Sequence, residues 1–536
     1  MTEAARLGPR RLVDSFSWYH LLLFSGLTVL YGVWCWSTEL GDFGGDNAYY
    51  LLTARHFSPW LGPSDVASHF AVHSPYPPLF PLVLALTGGG ASVLAAHLVV
   101  AAGWVVAIVV FYLWLDALEF TRVPATVAAV LFGLLPAVLL EALSVHSEAL
   151  YLPLTLVALW SIARYEHDGA PSRLYVAVVA IGLASITRSA GVSLAVAFGA
   201  YLLVHRPIRF GWLLGAAAAP MVVWSLISPN RGHGYVAQLM DRYGSDPLGS
   251  LVSQVSVGLR ALWRGWILAF GTGYTAMVVL SLVGLICIVG MLYRVWRWKF
   301  DGLYAGAYLL LIVLWPFPAE AQRLVLVIVP VLVAQALLLL GALPGLKSGR
   351  WVLRHLQVLA LAPLVIVVAP ELALGMQRFV RPLPDDLMPY RQASSWYGAP
   401  PREAIDDLVS RAAVAQHLRT LDNWVGPDEC VYGMKPSIIG FYGARISYPP
   451  PGARLSDEEF LTAVRTGPCS YFYVMGYISP SFPTPYYPVM RLGESLRTLT
   501  VSTSRHDEGR RPIARLEVLV DRHPGAVPDR KAGRGK

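Results

Sequence analysis

Four charged side chains stand out in an otherwise apolar sequence: Asp46, Glu148, Arg188 and Arg323. A carboxylate at a membrane–water boundary, partly stripped of water, is more basic than one in bulk solution and can take a proton from a hydroxyl. An arginine in the same setting presents a planar fork of N–H donors matched to phosphate oxygens. Taken singly, the four residues offer proton abstraction and the binding of an anionic headgroup.

Asp46 lies in Gly41-Asp42-Phe43-Gly44-Gly45-Asp46-Asn47-Ala48-Tyr49-Tyr50. The glycines free the chain, and Asp46 then stands where a helix N-cap is wanted. It is therefore either a cap or a general base. Ala48, Leu51, Leu52 and Phe57 follow at helical spacing, a stripe suited to the membrane surface. Asp42 and Tyr50 are candidates for a substrate pocket. Further on, His73-Ser74-Pro75-Tyr76-Pro77-Pro78-Leu79 has the prolines of a structural corner, with His73 and Tyr76 able to donate hydrogen bonds to a phosphate.

Glu148 follows a very short loop, Glu141-Ala142-Leu143-Ser144-Val145-His146-Ser147. At a membrane edge it is either a charge favoured by a helix N-terminus or a functional carboxylate. His146 beside it is a second pocket candidate. Arg188 interrupts an apolar stretch of about thirty residues, and Arg323 follows Glu320 and Gln322 at the start of another. Both arginines are candidates for a lipid phosphate, with Glu320 and Gln322 as pocket candidates. Internal pairing, such as Arg323 with Glu320, is the competing reading.

The elements that must position these residues follow from charge. Lys, Arg, Asp and Glu make up 14% of 536 residues, against about 25% in soluble globular proteins. The deficit is uneven: residues 371–536 carry 21 Lys and Arg and 18 Asp and Glu, about 23%, and residues 1–370 only about 10%. This excludes an ordinary soluble enzyme, a disordered chain and a fibre, and predicts a polytopic α-helical membrane domain over 1–370. The net charge of +8 has no basic block, which argues against nucleic acid as a partner.

Apolar runs cover 18–38, 92–117, 125–143, 149–165, 174–187, 190–205, 211–228, 266–292, 303–317, 323–343 and 352–370. Read as crossings, they give about eleven transmembrane helices, with Pro77–Leu86 too short to span and read as a juxtamembrane helix. An N-terminus on the cytoplasmic side puts most short-loop arginines and lysines there. Three long segments, 39–91, 229–265 and the C-terminal region, then face outward. The start of the chain shows no small-residue cleavage site, so the first run reads as a retained helix.

Residues 371–401 are proline-rich and read as a linker; 402–522 read as a small extracytoplasmic α/β domain and 523–536 as a disordered tail. Helices are expected at 402–420 and 456–466, and strands at 430–434, 470–475 and 513–520. Cys35 and Cys287 fall within apolar runs, while Cys430 and Cys469 open two strand-like runs and could be joined or free. No GxxxxGK[ST], HExxH, CxxC or Gly-x-Ser-x-Gly motif occurs, and no metal-ligand spacing; His233 stands alone in its loop.

The ordered set Asp46-Asn47-Ala48-Tyr49-Tyr50 with Ala54, Tyr76-Pro77-Pro78-Leu79, Ser147-Glu148-Ala149-Leu150, Thr187-Arg188-Ser189-Ala190-Gly191, and Arg323 leading to Pro330 resembles the GT-C superfamily of polytopic glycosyltransferases, in its protein O-mannosyltransferase and aminoarabinose transferase branch. The resemblance covers residues 1–370. It implies an inverting transfer of a sugar from a polyprenyl-phosphate donor to an acceptor hydroxyl, with Asp46 as base and Glu148 as the acidic residue of the next outer loop. Phosphate binding would fall to Arg188 and Arg323, with His73 and Tyr76 nearby. It further implies no cofactor and no required metal, membrane lipids as surroundings, a glycan, lipid or protein as acceptor, and a bacterial cytoplasmic membrane as location. A lipid-pyrophosphate-dependent ligase or oligosaccharyltransferase, and a non-catalytic transporter, are the alternatives; the second expects inverted repeats, which the sequence does not show.

Overall fold

The computed structural model describes residues 16–41, 43–205, 211–228, 247–271, 274–342, 350–393, 396–397, 401–452, 455–475, 489–503 and 512–522. Asp42, His233 and the 523–536 tail lie outside them. The chain forms two compact units. One comprises Met1–Trp36, Ser74–Val83 and His97–Val380; the other comprises Ser37–His73, Leu84–Ala96 and Arg381–Lys536.

The first unit is helical. Val93–Ala117, Ala276–Trp296, Ala321–Ala342 and His355–Val380 are long and apolar enough to cross a membrane, and Arg122–Gly133 with Pro136–Ala142 makes a fifth such piece bent by 53°. Shorter apolar helices occupy Pro171–Ser185, Ser189–His205, Gly211–Ile227 and Phe300–Val313. Ile366, Leu203 and Val179 are exposed on these helices, as side chains that meet lipid rather than water must be. This is a polytopic membrane protein, and each expected apolar run has its helix.

Two boundaries differ from expectation. The run 266–292 is divided, because one helix, Pro247–Phe270, ends before a second, Tyr274–Trp296, begins. The last apolar helix, Arg350–Val380, continues past 370, so ten residues read as linker are helical. Pro363 and Pro370 lie inside it, where the surrounding helical turns outweigh their breaking tendency.

The bend at Leu134 and Leu135 has a local cause. Pro136 has no N–H to continue the helical ladder, and the flanking carbonyls are taken up by the first helix, Trp18–Trp34. Tyr31 donates to the Gly133 carbonyl at 2.7 Å, Trp34 Nε1 to Leu139 at 2.8 Å, and Cys35 Sγ to Ala142 at 3.1 Å. These bonds hold Pro136–Ala142, which carries Glu141, against the N-terminal helix.

The second unit joins Ser37–His73 and Leu84–Ala96 to the C-terminal region. Its sheet runs in the order β2-β1-β3-β5-β4, with β1 Val431–Gly433, β2 Ser447–Tyr448, β3 Tyr471–Met475, β4 Leu496–Thr503 and β5 Pro512–Leu519. β1 pairs in parallel with β2 and β3; β5 pairs antiparallel with β3 and β4. Helices Pro436–Gly443 and Asp457–Thr466 make the two crossovers, as parallel pairing requires. Phe460, Val464, Phe472 and Leu519 form a core around Cys430 and Cys469, which are joined in a disulfide. The α/β reading holds; the two outer strands, β2 and β4, were not expected.

Candidate functional site

In the first unit, Pro171–Ser185 ends at a break where Arg188 is extended (φ −146°, ψ 143°) before the turn Ser189–Gly191 opens the next helix. The break frees Arg188 to turn toward Glu148, the first residue of Glu148–Asp168. Arg188 Nη1 contacts Glu148 Oε1 and donates to Ser147 Oγ at 3.2 Å. Arg323, on Ala321–Ala342, places Nε 2.9 Å from the same Glu148 oxygen and Nη2 3.4 Å from Glu320 Oε2. Glu148 is 1% exposed. One fully buried carboxylate thus holds two guanidiniums from different segments. Each arginine is paired internally, and the pairing brings the two together.

His146 completes the cluster. Its Nδ1 donates to Glu141 Oε1 at 2.6 Å, and its Nε2 lies 3.5 Å from Arg323 Nη1. Burial alone would lower the imidazolium pKa, but the adjoining Glu141 carboxylate overrides it and raises the value to about 9. In the neutral ring Nε2 accepts from Arg323 Nη1; in the imidazolium both ring nitrogens are donors. Below them Tyr308 donates to the Leu324 carbonyl at 3.1 Å, and its ring lies 5.6 Å from that of Tyr304 and 6.5 Å from that of Tyr151. Gln322 is half-buried beside Arg323.

The ligand atoms of Glu141, His146 and Glu148 all lie within 4.8 Å of one another, a grouping that sequence spacing alone did not indicate. Their bonds are those of an ion-pair cluster: Glu148 faces two cations, and the proton on His146 Nδ1 is shared with Glu141. Tyr76 is half-buried in the same unit. The Leu79 N–H donates to the Ile186 carbonyl at 3.0 Å, which ties the Tyr76-Pro77-Pro78 corner to the chain just before Arg188.

In the second unit, Asp46 is the first residue of Asp46–Phe57, and the cap is Gly45, at φ +109°. The expectation that Asp46 itself caps is corrected: only glycine takes that backbone readily, so the cap falls one residue earlier. Lys435 Nζ donates to the Gly44 carbonyl at 2.5 Å and Ser437 Oγ to the Gly45 carbonyl at 2.8 Å. These two residues fix the start of the helix, and nothing in the sequence pointed to them. Asp46 is half-buried and Tyr50 buried. Ala48, Leu51 and Leu52 are buried too, on a helix packed against Asp65–Val72 and Pro436–Gly443, so the stripe is protein core rather than a membrane-facing surface. Only Phe57, at its end, is exposed. His73 is exposed at the end of Asp65–Val72, with Nδ1 2.7 Å from the His69 carbonyl.

These features define a multipass helical membrane protein with a buried arginine–carboxylate cluster and a small α/β unit. Residues 73–230 match the family model described as dolichyl-phosphate-mannose-protein mannosyltransferase. No curated protein matches the sequence. Among solved structures, the chain is similar to ArnT from Cupriavidus metallidurans bound to undecaprenyl phosphate, with a TM-score of 0.53 at 14% identity, covering 94% of this chain and 98% of that one. It is also similar to the same protein in its apo state, with a TM-score of 0.50 at 14% identity, covering 93% and 97%. The chain therefore has an ArnT-like fold.

Proposed function

We propose that this protein is an inverting glycosyltransferase that uses a polyprenyl-phosphate sugar as donor. The observation that carries this reading is the convergence of Arg188 and Arg323 on one oxygen of buried Glu148. Fixed guanidiniums in a water-poor site stabilise a leaving phosphate without reorganising as its charge develops. The match of residues 73–230 to the mannosyltransferase model and the fold shared with ArnT support the same class.

The reaction follows from these groups. Asp46 accepts the proton of an acceptor hydroxyl as that oxygen bonds to the anomeric carbon. The bond from the anomeric carbon to the phosphate oxygen breaks, and its electron pair leaves with the polyprenyl phosphate, whose charge Arg188 and Arg323 receive. Glu148 acts as the anchor of the two arginines; its burial between them suits positioning rather than proton transfer. A guanidinium pair does here what a divalent cation does elsewhere, so we propose that the transfer proceeds without a metal. The acceptor is a glycan, lipid or protein hydroxyl.

A Cys430–Cys469 disulfide belongs to an oxidising compartment. That supports an extracytoplasmic C-terminal unit, a cytoplasmic N-terminus and transfer at the outer face of a bacterial cytoplasmic membrane. The test is transfer by purified protein supplied with polyprenyl-monophosphate and polyprenyl-diphosphate sugars separately. Turnover with the monophosphate, abolished by Asp46→Asn, is expected; turnover with the diphosphate alone would overturn the donor class.

A further inference from the structure

Two guanidiniums, Arg188 and Arg323, face three carboxylates, Glu141, Glu148 and Glu320, within one connected set of contacts. With a neutral His146 that set carries excess negative charge and would repel a phosphate. With all three carboxylates ionised, the imidazolium brings it to neutrality. Glu141 holds Nδ1 at 2.6 Å, which orients the ring, and Nε2 lies 3.5 Å from Arg323 Nη1, where the neutral ring accepts from the guanidinium. Once the ring is protonated the two N–H groups can no longer bond each other, and both can converge on one anionic oxygen.

We propose that His146, charged and oriented by Glu141, is a third phosphate-binding group beside Arg323, with Glu141 as its positioning residue. This rests on the reading of the protein as a polyprenyl-phosphate enzyme. The sequence marks His146 only as a pocket candidate and does not mark Glu141. Among the described residues, the charged groups that act on the ring include Glu141 on Pro136–Ala142, Glu148 on Glu148–Asp168, and Arg323 on Ala321–Ala342. Arg188 and Glu320 act on it through their pairs with Glu148 and Arg323.

The proposal has a titration signature. The second pKa of a phosphate monoester is about 6, so the lipid's charge is nearly constant above about pH 7.5. Affinity that still falls at higher pH reports a protein group. The experiment measures binding of undecaprenyl phosphate to the purified full-length protein, without sugar or acceptor, from about pH 7.5 to about pH 10. Wild-type affinity should fall about tenfold as His146 loses its proton around pH 9. Glu141→Gln removes the carboxylate that holds the proton, and the fall should move below about pH 8. His146→Gln should bind weakly, at the wild-type high-pH level, with no fall across the range.

Wild-type affinity that stays level across this range would overturn the role of His146 while leaving the donor class intact. An unshifted fall in Glu141→Gln would overturn the role of Glu141. Absence of undecaprenyl phosphate binding at every pH would overturn both this proposal and the function it rests on.

Discussion

Arg323 Nε stands 2.9 Å from Glu148 Oε1, the oxygen that Arg188 Nη1 also contacts. Arg188 comes from a break between helices and Arg323 from the helix Ala321–Ala342, and each guanidinium would repel the other without the carboxylate between them. Glu148 is thus the residue on which the arrangement depends. Two cations held on one buried anion are the group we propose receives the donor phosphate.

Glu148→Gln keeps the shape of the side chain and removes its charge. Two buried guanidiniums then lose their counter-charge, a change that costs about 3–5 kcal/mol when a buried pair is broken. A lower melting temperature in detergent is expected, with a weakened affinity for undecaprenyl phosphate. A variant with wild-type melting and binding would remove Glu148 from the account.

Gly45→Ala tests how Asp46 is presented. Alanine at φ +109° is strained, and its Cβ would meet Ser437 Oγ at 3.2 Å. The strain costs about 1–3 kcal/mol, and relief of it shifts the start of the Asp46 helix. Transfer should drop several-fold while undecaprenyl phosphate binding, which belongs to the other unit, keeps its wild-type affinity.

Cys430→Ser, or a reducing agent, opens a link between residues 39 apart in sequence. Closing a loop of that length stabilises by about 2–4 kcal/mol through the unfolded chain. Thermal unfolding followed by near-UV circular dichroism should show a reduction-dependent loss of stability in wild type and none in the Cys430→Ser/Cys469→Ser pair.

His417 carries a pH dependence of known sign. Burial lowers its pKa from 6.5 to about 4, so the folded state keeps it neutral while the unfolded chain takes up a proton. Stability is therefore full above pH 6.5 and declines as the pH falls toward 4. Replacement by Gln should flatten the decline in this window when melting temperature is measured against pH.

Much of this architecture is legible in the sequence because it depends on local composition. The scarcity of charge in residues 1–370 marks the membrane unit, and each apolar run becomes a helix. A guanidinium inside an apolar stretch marks the break at Arg188 for the same reason: the chain cannot carry a buried charge along a lipid-facing helix. β4 was also readable, since Thr498-Leu499-Thr500-Val501 is rich in β-branched residues. Other features depend on contacts distant in sequence. Arg419 Nη2 meets Glu39 Oε1 at 2.5 Å, and Ser37 Oγ donates to the Pro389 carbonyl at 3.1 Å. Such bonds assign the 37–73 loop to the C-terminal unit, and no local pattern announces them. The Glu141–His146 pair is intermediate: five residues separate the two across a helix end, a spacing without a recognised motif.

The central claim is that Arg188 and Arg323 hold the phosphate of a polyprenyl-phosphate donor. Its most direct test is the dissociation constant of undecaprenyl phosphate for the purified protein and for Arg188→Gln and Arg323→Gln, each at fixed pH and salt. Saturable wild-type binding, weakened at least about tenfold by either substitution, is the predicted result. Equal affinity in all three proteins would contradict it.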